Sequence, residues 1–295
     1  MAARIRKTVA AVLACAGLLA AVHPARGAQA PAAERVVSLG GTITEIVYAL
    51  GQGNRLAGAD LSSLYPEAAT RLPRVGYYRA VPVEGVLALR PDLILASDQA
   101  GPPPAIARLQ EAGVPLAIVS DEPTVSSLYA RIRQVADALG VPGRGAQLAD
   151  SVALALNKAQ ALPESHARAV LIMNRTGTPL GAGSNTAASL VLQLSGLVNV
   201  LDEQQGYKPL SAEALMSLAP DVIVVPRTAL EASGGMRQLM AMPGLAGTPA
   251  AANQCIVVMD DLLILGTGPR LPQAIRTLKE TDCVARQGRR ADGAA

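Results

Sequence analysis

The sequence predicts an α/β chain built as two Rossmann-like lobes joined by a single long helix. Three observations lead there. Short apolar, β-rich runs alternate with longer helical ones, the pattern of parallel strands covered by helices on both faces. One alanine-rich stretch near the middle, roughly residues 144–162, reads as a joining helix and stops before Pro163. A helix–turn–strand unit also occurs twice. Glu84 opens Glu-Gly-Val-Leu-Ala-Leu-Arg-Pro-Asp-Leu-Ile-Leu, and Glu213 opens Glu-Ala-Leu-Met-Ser-Leu-Ala-Pro-Asp-Val-Ile-Val.

Taken in order, the chain begins with Arg4, Arg6 and Lys7, then a charge-free apolar run from Val9 to Val22, then small residues around Ala25-Arg26-Gly27. A basic head, a short apolar core and a small-residue site form a secretory leader, expected over residues 1–27. The run is short for a bilayer span, which takes about 20 apolar residues. A lipoprotein signal around Cys15 is the alternative, but the apolar run continues past that cysteine. Of the 26 basic residues, four lie in this leader, which holds no acid, leaving 22 against 23 acids in the exported chain. The formal charge of +3 therefore belongs to the leader and gives no reason to expect a nucleic-acid partner.

Candidate strands follow at Arg35–Leu39, Asp92–Ala96, Leu116–Ser120, Ala169–Met173, Asp221–Val225 and Ile256–Met259. Candidate helices are Thr44–Leu50, Glu84–Leu89, Ala105–Ala112, Ser126–Leu139, Ser211–Leu218 and Gln273–Lys279. The expected organisation is an N-terminal lobe over 34–141, the joining helix over 142–163, a C-terminal lobe over 167–285 and a disordered tail over 286–295.

Chemistry-bearing residues are few. Cys255 and Cys283 are the cysteines that follow the leader. In an oxidising compartment they are expected to pair, with two independent thiols as the alternative the spacing leaves open. No Cys-x-x-Cys or His-rich run suggests zinc, and His166, the one histidine after the leader, sits in a polar stretch. There is no Gly-x-Ser-x-Gly elbow and no phosphate-cradling loop, so an enzyme is not expected. The chain has no Trp and no Phe, so aromatic contacts to a ligand fall to its six tyrosines.

Several segments resemble one family: Ser38-Leu39-Gly40-Gly41-Thr42-Ile43-Thr44-Glu45, Val75-Gly76-Tyr77-Tyr78-Arg79, the Glu84 unit, Gly206-Tyr207-Lys208-Pro209-Leu210-Ser211 and Gly266-Thr267-Gly268-Pro269-Arg270. Together they resemble the heme-binding branch of the class III periplasmic binding proteins, which serve siderophore, cobalamin and heme importers. The resemblance spans about Glu34 to Lys279. It implies a monomer in the periplasm that takes heme between its lobes. The partner it implies is an inner-membrane ABC permease dimer with its ATPase, in a system for hemin transport and iron acquisition. Cobalamin or an iron siderophore is the alternative ligand in the same fold, and an adhesin-like domain with no ligand cleft is a competing class.

The resemblance makes Tyr77 the iron ligand, with Tyr78 as second choice. A tyrosinate oxygen suits ferric iron, and tyrosine is a known axial ligand of heme. An extended segment would put Arg79 on the same face as Tyr77, to stabilise the tyrosinate or meet a propionate, and Tyr78 on the other. Some relatives add a histidine from the second lobe. The matching segment here, Gly181–Thr186, has none, so five-coordinate iron, or a water or nearby side chain as sixth ligand, is expected. Arg227, just past a strand end, is a second-lobe cation for a propionate or the tyrosinate, with Arg175 a weaker candidate. Tyr207 and Lys208 read as a turn leading into the Ser211 helix. The resemblance also gives Glu84 and Glu213 as one docking acid per lobe for the permease. Without it they are simply acids at helix starts, which the helix dipole favours.

Overall fold

The computed structural model describes residues 33–174 and 178–292. The leader expected over residues 1–27 lies outside them, as does Arg175. In chain order the elements are β1 (Val36–Leu39), α1 (Gly41–Ala49), β2 (Leu56–Ala59), α2 (Glu67–Thr70), α3 (Val83–Ala88), β3 (Leu93–Ser97), α4 (Pro103–Glu111), β4 (Leu116–Val119), α5 (Val125–Ala138) and α6 (Pro142–Gln160). The second lobe continues with β5 (Arg168–Asn174), β6 (Pro179–Ala182), α7 (Ala187–Leu194), β7 (Val198–Asn199), β8 (Tyr207–Pro209), α8 (Ala212–Leu218), β9 (Val222–Pro226) and α9 (Arg227–Ala232). It ends with α10 (Met236–Met240), α11 (Pro249–Ala252), β10 (Ile256–Met259), α12 (Asp261–Leu265), α13 (Leu271–Glu280) and α14 (Asp282–Asp292).

The first lobe is a parallel sheet in the order β2-β1-β3-β4. Strand order reverses between β1 and β3, and crevices at such switch points, beyond the carboxyl ends of the strands, are where open α/β sheets bind ligands. The second lobe carries the order β10-β9-β5-β6-β8, with β7 beside β5. Its β10, β9 and β5 run parallel, while β6 and β8 are antiparallel additions. Strands β1, β3, β5 and β9 are almost wholly buried and rich in Val, Ile and Leu, as strands covered on both faces must be.

The sequence repeat is also a structural one. Arg35 leads into β1 and donates from Nη2 to Leu89 O at 2.6 Å, at the end of α3. Arg168 opens β5 and donates from Nη2 to Leu218 O at 2.8 Å, at the end of α8. The aspartate of each Pro-Asp pair accepts from the backbone of the same arginine: Arg35 N to Asp92 Oδ1 at 2.9 Å, Arg168 N to Asp221 Oδ2 at 3.1 Å. The residue before each proline has a positive φ, 46° at Arg90 and 42° at Ala219. Each arginine thus satisfies a helix-end carbonyl and seats the following strand.

Helix α6 packs on α5 at one side and on α13 at the other. Arg144 Nη1 reaches Leu50 O in the first lobe at 3.0 Å. At its other end, the buried Lys279 of α13 donates to Gln160 O at 2.8 Å and Leu162 O at 2.7 Å. A cation on the last carbonyls is the favourable partner for a helix C-terminus, and this one fixes α6 to the second lobe.

The C-terminus differs from the expected disordered tail, because α14 continues to Asp292. Its first turn is anchored. Cys283 is bonded to Cys255 with Cα atoms 5.4 Å apart, Val284 is buried, and Ser165 Oγ donates to Val284 O at 2.9 Å. An anchored first turn supplies the costly nucleus, and the Arg-rich run after it carries good helix propensity.

Candidate functional site

The carboxyl ends of β1 and β3 open on a cavity of about 1020 Å³. The first lobe lines it with Gly40, Gly41, Thr42, Tyr77, Tyr78, Arg79 and Asp121. Residues facing it from the second lobe include Met173, Leu180, Thr186, Tyr207 and Asp261.

Tyr77 owes its place to a buried carboxylate. Asp60, fully buried at the exit of β2, accepts from Gly40 N at 3.1 Å, Ser62 N at 3.0 Å, Ser62 Oγ at 2.7 Å, Ser63 Oγ at 2.9 Å and Tyr78 N at 3.3 Å. It ties the start of α1, the loop after β2 and the tyrosine segment into one unit. Leu61 N adds a bond to Gly76 O at 2.7 Å. Gly76 has φ 83°, a left-handed conformation that glycine adopts at no steric cost.

The segment is a tight turn instead of an extended strand. Ala80 N donates to Tyr77 O at 2.8 Å, and Gly101 N donates to Tyr78 O at 2.9 Å. Tyr77, Tyr78 and Arg79 all touch the cavity, but only Tyr77 offers its ring freely, at 36 % exposure against 9 % for Tyr78. The two rings meet edge-to-face with centroids 5.0 Å apart. The Tyr78 hydroxyl accepts from Arg79 Nε at 3.0 Å, and the guanidinium carbon lies 5.3 Å from the Tyr78 ring centroid. Burial pushes the Tyr78 phenol above its ordinary range against the pull of Arg79. Burial lowers Arg79, but its bond to Tyr78 and the nearby Tyr77 and Asp121 leave it raised on balance. Tyr78, the second choice for the iron ligand in the sequence reading, is buried here with its hydroxyl bonded to Arg79.

Beneath them lies Asp121, paired with the fully buried Arg131 at 3.2 Å and accepting from Ser97 Oγ at 3.2 Å. Burial raises the Asp121 carboxyl and Arg131 opposes the rise. Arg131 also reaches into the second lobe, donating from Nη1 to Thr267 O at 2.6 Å. A second crossing lies one loop away. Arg270 donates to Glu45 from its backbone N at 3.0 Å and from Nε at 3.1 Å, and its guanidinium carbon sits 3.5 Å from the Tyr65 ring centroid. Helix α1 and the Gly266–Arg270 loop, both marked in the sequence, close on one another beside the cavity.

A family model described as "Periplasmic binding protein" matches residues 36–263. The chain belongs to the periplasmic binding protein family. Among solved members of similar structure is the periplasmic heme-binding protein RhuT from Roseiflexus sp. RS-1 in apo form: 39 % identical, TM-score 0.81, covering 85 % of this chain and 99 % of that one. The periplasmic heme-binding protein BhuT in complex with two hemes is 40 % identical, with TM-score 0.79 over 86 % and 98 % of the two chains. A periplasmic heme-binding protein from Pseudomonas aeruginosa is 35 % identical, with TM-score 0.75 over 87 % and 93 %. A curated relative, the vitamin B12-binding protein of Yersinia pestis (strain Pestoides F), is 31 % identical over 68 % of this chain and 71 % of its own length.

In this periplasmic binding protein the other residues singled out from sequence fall as follows. Arg227 opens α9 with its side chain exposed and does not line the cavity among the described residues, although Thr228 beside it does. Thr228 is held there by Asp261: its N donates to Asp261 Oδ2 at 3.0 Å and its hydroxyl bonds the same carboxylate. Glu84 and Glu213 are exposed in the first turns of α3 and α8. A bond from its own backbone N–H, with help from Ser211, holds the Glu213 carboxyl below its usual range. His166 is exposed beside Glu164, at 3.6 Å. The Tyr207 segment forms strand β8, not a turn, and Tyr207 faces the cavity. Sequence reasoning missed Asp60, Asp121 and the ligand-side position of Tyr207. Only Tyr207 left a signal, as the single aromatic residue beyond Tyr129.

Proposed function

We propose that this protein is the periplasmic substrate-binding component of an ABC importer for heme, and that Tyr77 ligates the ferric iron. The observation that carries the reading is Tyr77 itself: a phenol exposed to the cavity, on a backbone pinned by Asp60, with Arg79 held beside it by Tyr78. A phenol titrates near 10 in water, so ligation at neutral pH needs a nearby cation as well as the iron. Arg79 is that cation, and a propionate is its alternative partner. The apolar surface around it (Leu61, Leu64, Met173, Leu180, Leu262 and Leu265) suits a flat macrocycle. Similarity to heme-binding members at 35–40 % identity over most of the chain supports the same ligand.

In this reading Glu84 and Glu213, at equivalent places in the repeated unit, dock the loaded protein on a permease dimer that its ATPase drives. Rim charges of this kind steer and orient an encounter. The leader sends a monomer to the periplasm.

One observation favours cobalamin as a second reading. Among the described residues Arg79 is the one cation lining the cavity, facing Glu122 and Asp261 with Asp121 already paired to Arg131, and a corrin edged with amides meets less repulsion there than two propionates. Equilibrium titration of the mature protein with ferric hemin, cyanocobalamin and a ferric siderophore tests both. The proposal expects a saturable Soret shift with hemin at micromolar protein or below. Binding of cobalamin with no hemin-induced shift contradicts it.

A further inference from the structure

The chain contains six tyrosines and no Phe or Trp, so each aromatic ring can be followed to its place. Tyr48 and Tyr129 pack partly buried against the core, and Tyr65 lies under Arg270. Tyr77 and Tyr78 form the first-lobe wall of the cavity. Tyr207 is the only aromatic residue of the second lobe, and it stands on the cavity wall at 38 % exposure.

Its backbone is held firmly. Tyr207 pairs with Ala182 across β6 and β8. The turn before it is laced by Gly183 N to Gly206 O at 2.9 Å, Gly206 N to Ser184 O at 2.9 Å and Ser184 N to Gln204 O at 2.7 Å. A Cβ on Gly183 would lie 1.9 Å from Gln204 O, so only glycine lets the two segments close this far.

We infer that Tyr207 is the second lobe's aromatic contact with the ligand, its ring lying against the tetrapyrrole and setting how long the ligand is retained. This rests on the tetrapyrrole reading of the site. A rigid amphipathic ring beside a flat conjugated ligand gains by offset stacking beyond simple area burial. A contact of this type acts on dissociation more than on association.

The test compares hemin release from the full exported chain, wild type and Tyr207→Phe, Tyr207→Leu and Tyr207→Ala, by transfer to excess apomyoglobin. Circular dichroism melts first establish that each variant is folded. Release is expected to quicken about tenfold in Tyr207→Ala, to stay within about twofold of wild type in Tyr207→Phe, and to fall between in Tyr207→Leu, with the ferric spectrum unchanged in all three. Unchanged release from Tyr207→Ala overturns the inference. So does a Tyr207→Phe variant that releases as fast as Tyr207→Ala with an altered ferric spectrum, because the oxygen would then be the contact. If the wild type takes up cyanocobalamin and no hemin, the heme reading fails, and the same variants are scored on cobalamin release by the same criteria.

Discussion

Arg270→Ala is expected to destabilise the protein by about 3 kcal/mol, the range for removing one partner of a buried ion pair. Glu45 is 3 % exposed and its carboxylate takes two bonds from Arg270, one from the backbone and one from Nε. Truncation removes the side-chain bond, the charge that opposes desolvation, and the stack on Tyr65. The cost is capped. Burial already pushes the Glu45 carboxyl above its ordinary value in spite of Arg270, so without the arginine it takes up a proton and ceases to be a bare buried charge. In a chain of this size each kcal/mol moves the unfolding midpoint by about 2 °C, so Arg270→Ala melts about 6 °C lower. Glu45→Gln behaves differently. With its folded pKa raised, Glu45 binds its proton more tightly folded than unfolded. Its contribution to stability is full below about 4.3 and is lost as pH rises through the folded value. Glu45→Gln resembles the protonated form and flattens that decline, costing less than Arg270→Ala at pH 7. Thermal melts of the three proteins between pH 4 and 8, followed by circular dichroism, decide the matter. A midpoint loss under about 1 °C for Arg270→Ala, or equal losses for the two variants at pH 7, refutes the reasoning.

Other outcomes follow from the same structure. The Cys255–Cys283 bond closes a 28-residue separation, and chain entropy puts its contribution at about 3–4 kcal/mol; the Cys255→Ser/Cys283→Ser protein should melt about 7 °C lower, and reductant should leave that variant unmoved while lowering the wild type. Asp60→Asn leaves some of five donors without a charged acceptor, at about 2–3 kcal/mol. Hydrogen exchange should quicken over residues 74–80 before other segments, with weaker hemin binding, and uniform protection would argue against the positioning role. Glu84→Ala and Glu213→Ala should leave hemin titrations unchanged and reduce uptake by a reconstituted importer, most in the double variant. Unchanged uptake in the double variant would return both to plain helix-start acids.

Much of the architecture is legible in the chain because it rests on local patterns. Strands at Val36–Leu39, Leu93–Ser97 and Val222–Pro226 are nearly continuous apolar runs, and α6 is an alanine-rich stretch bounded by Pro142 and Pro163. Strand β2, Leu-Ala-Gly-Ala, is not legible in the sequence, since small residues carry no β signal and its place comes from pairing with β1 and the bridge from Ala59 to Arg74. Helix α7 was missed where a glycine-rich segment hides its start, although Thr186 caps it by accepting from Ser189 N at 3.1 Å. At the site, Tyr77 and Arg79 were legible as a motif, but their neighbours were not. Asp60 and Asp121 come from other strand ends, and Glu45 meets Arg270 across 225 positions. Arg227 shows how a strand end locates a crevice without fixing a side chain: it opens α9 exposed, while Thr228 beside it lines the cavity.

The central claim is that Tyr77 holds the iron. The most direct measurement is the visible and resonance Raman spectrum of the ferric hemin complex, for wild type, Tyr77→Phe and Tyr78→Phe. The account predicts a tyrosinate charge-transfer signature in the wild type, its loss in Tyr77→Phe with affinity weakened at least tenfold, and its retention in Tyr78→Phe. A signature that survives Tyr77→Phe, or that disappears only in Tyr78→Phe, contradicts it.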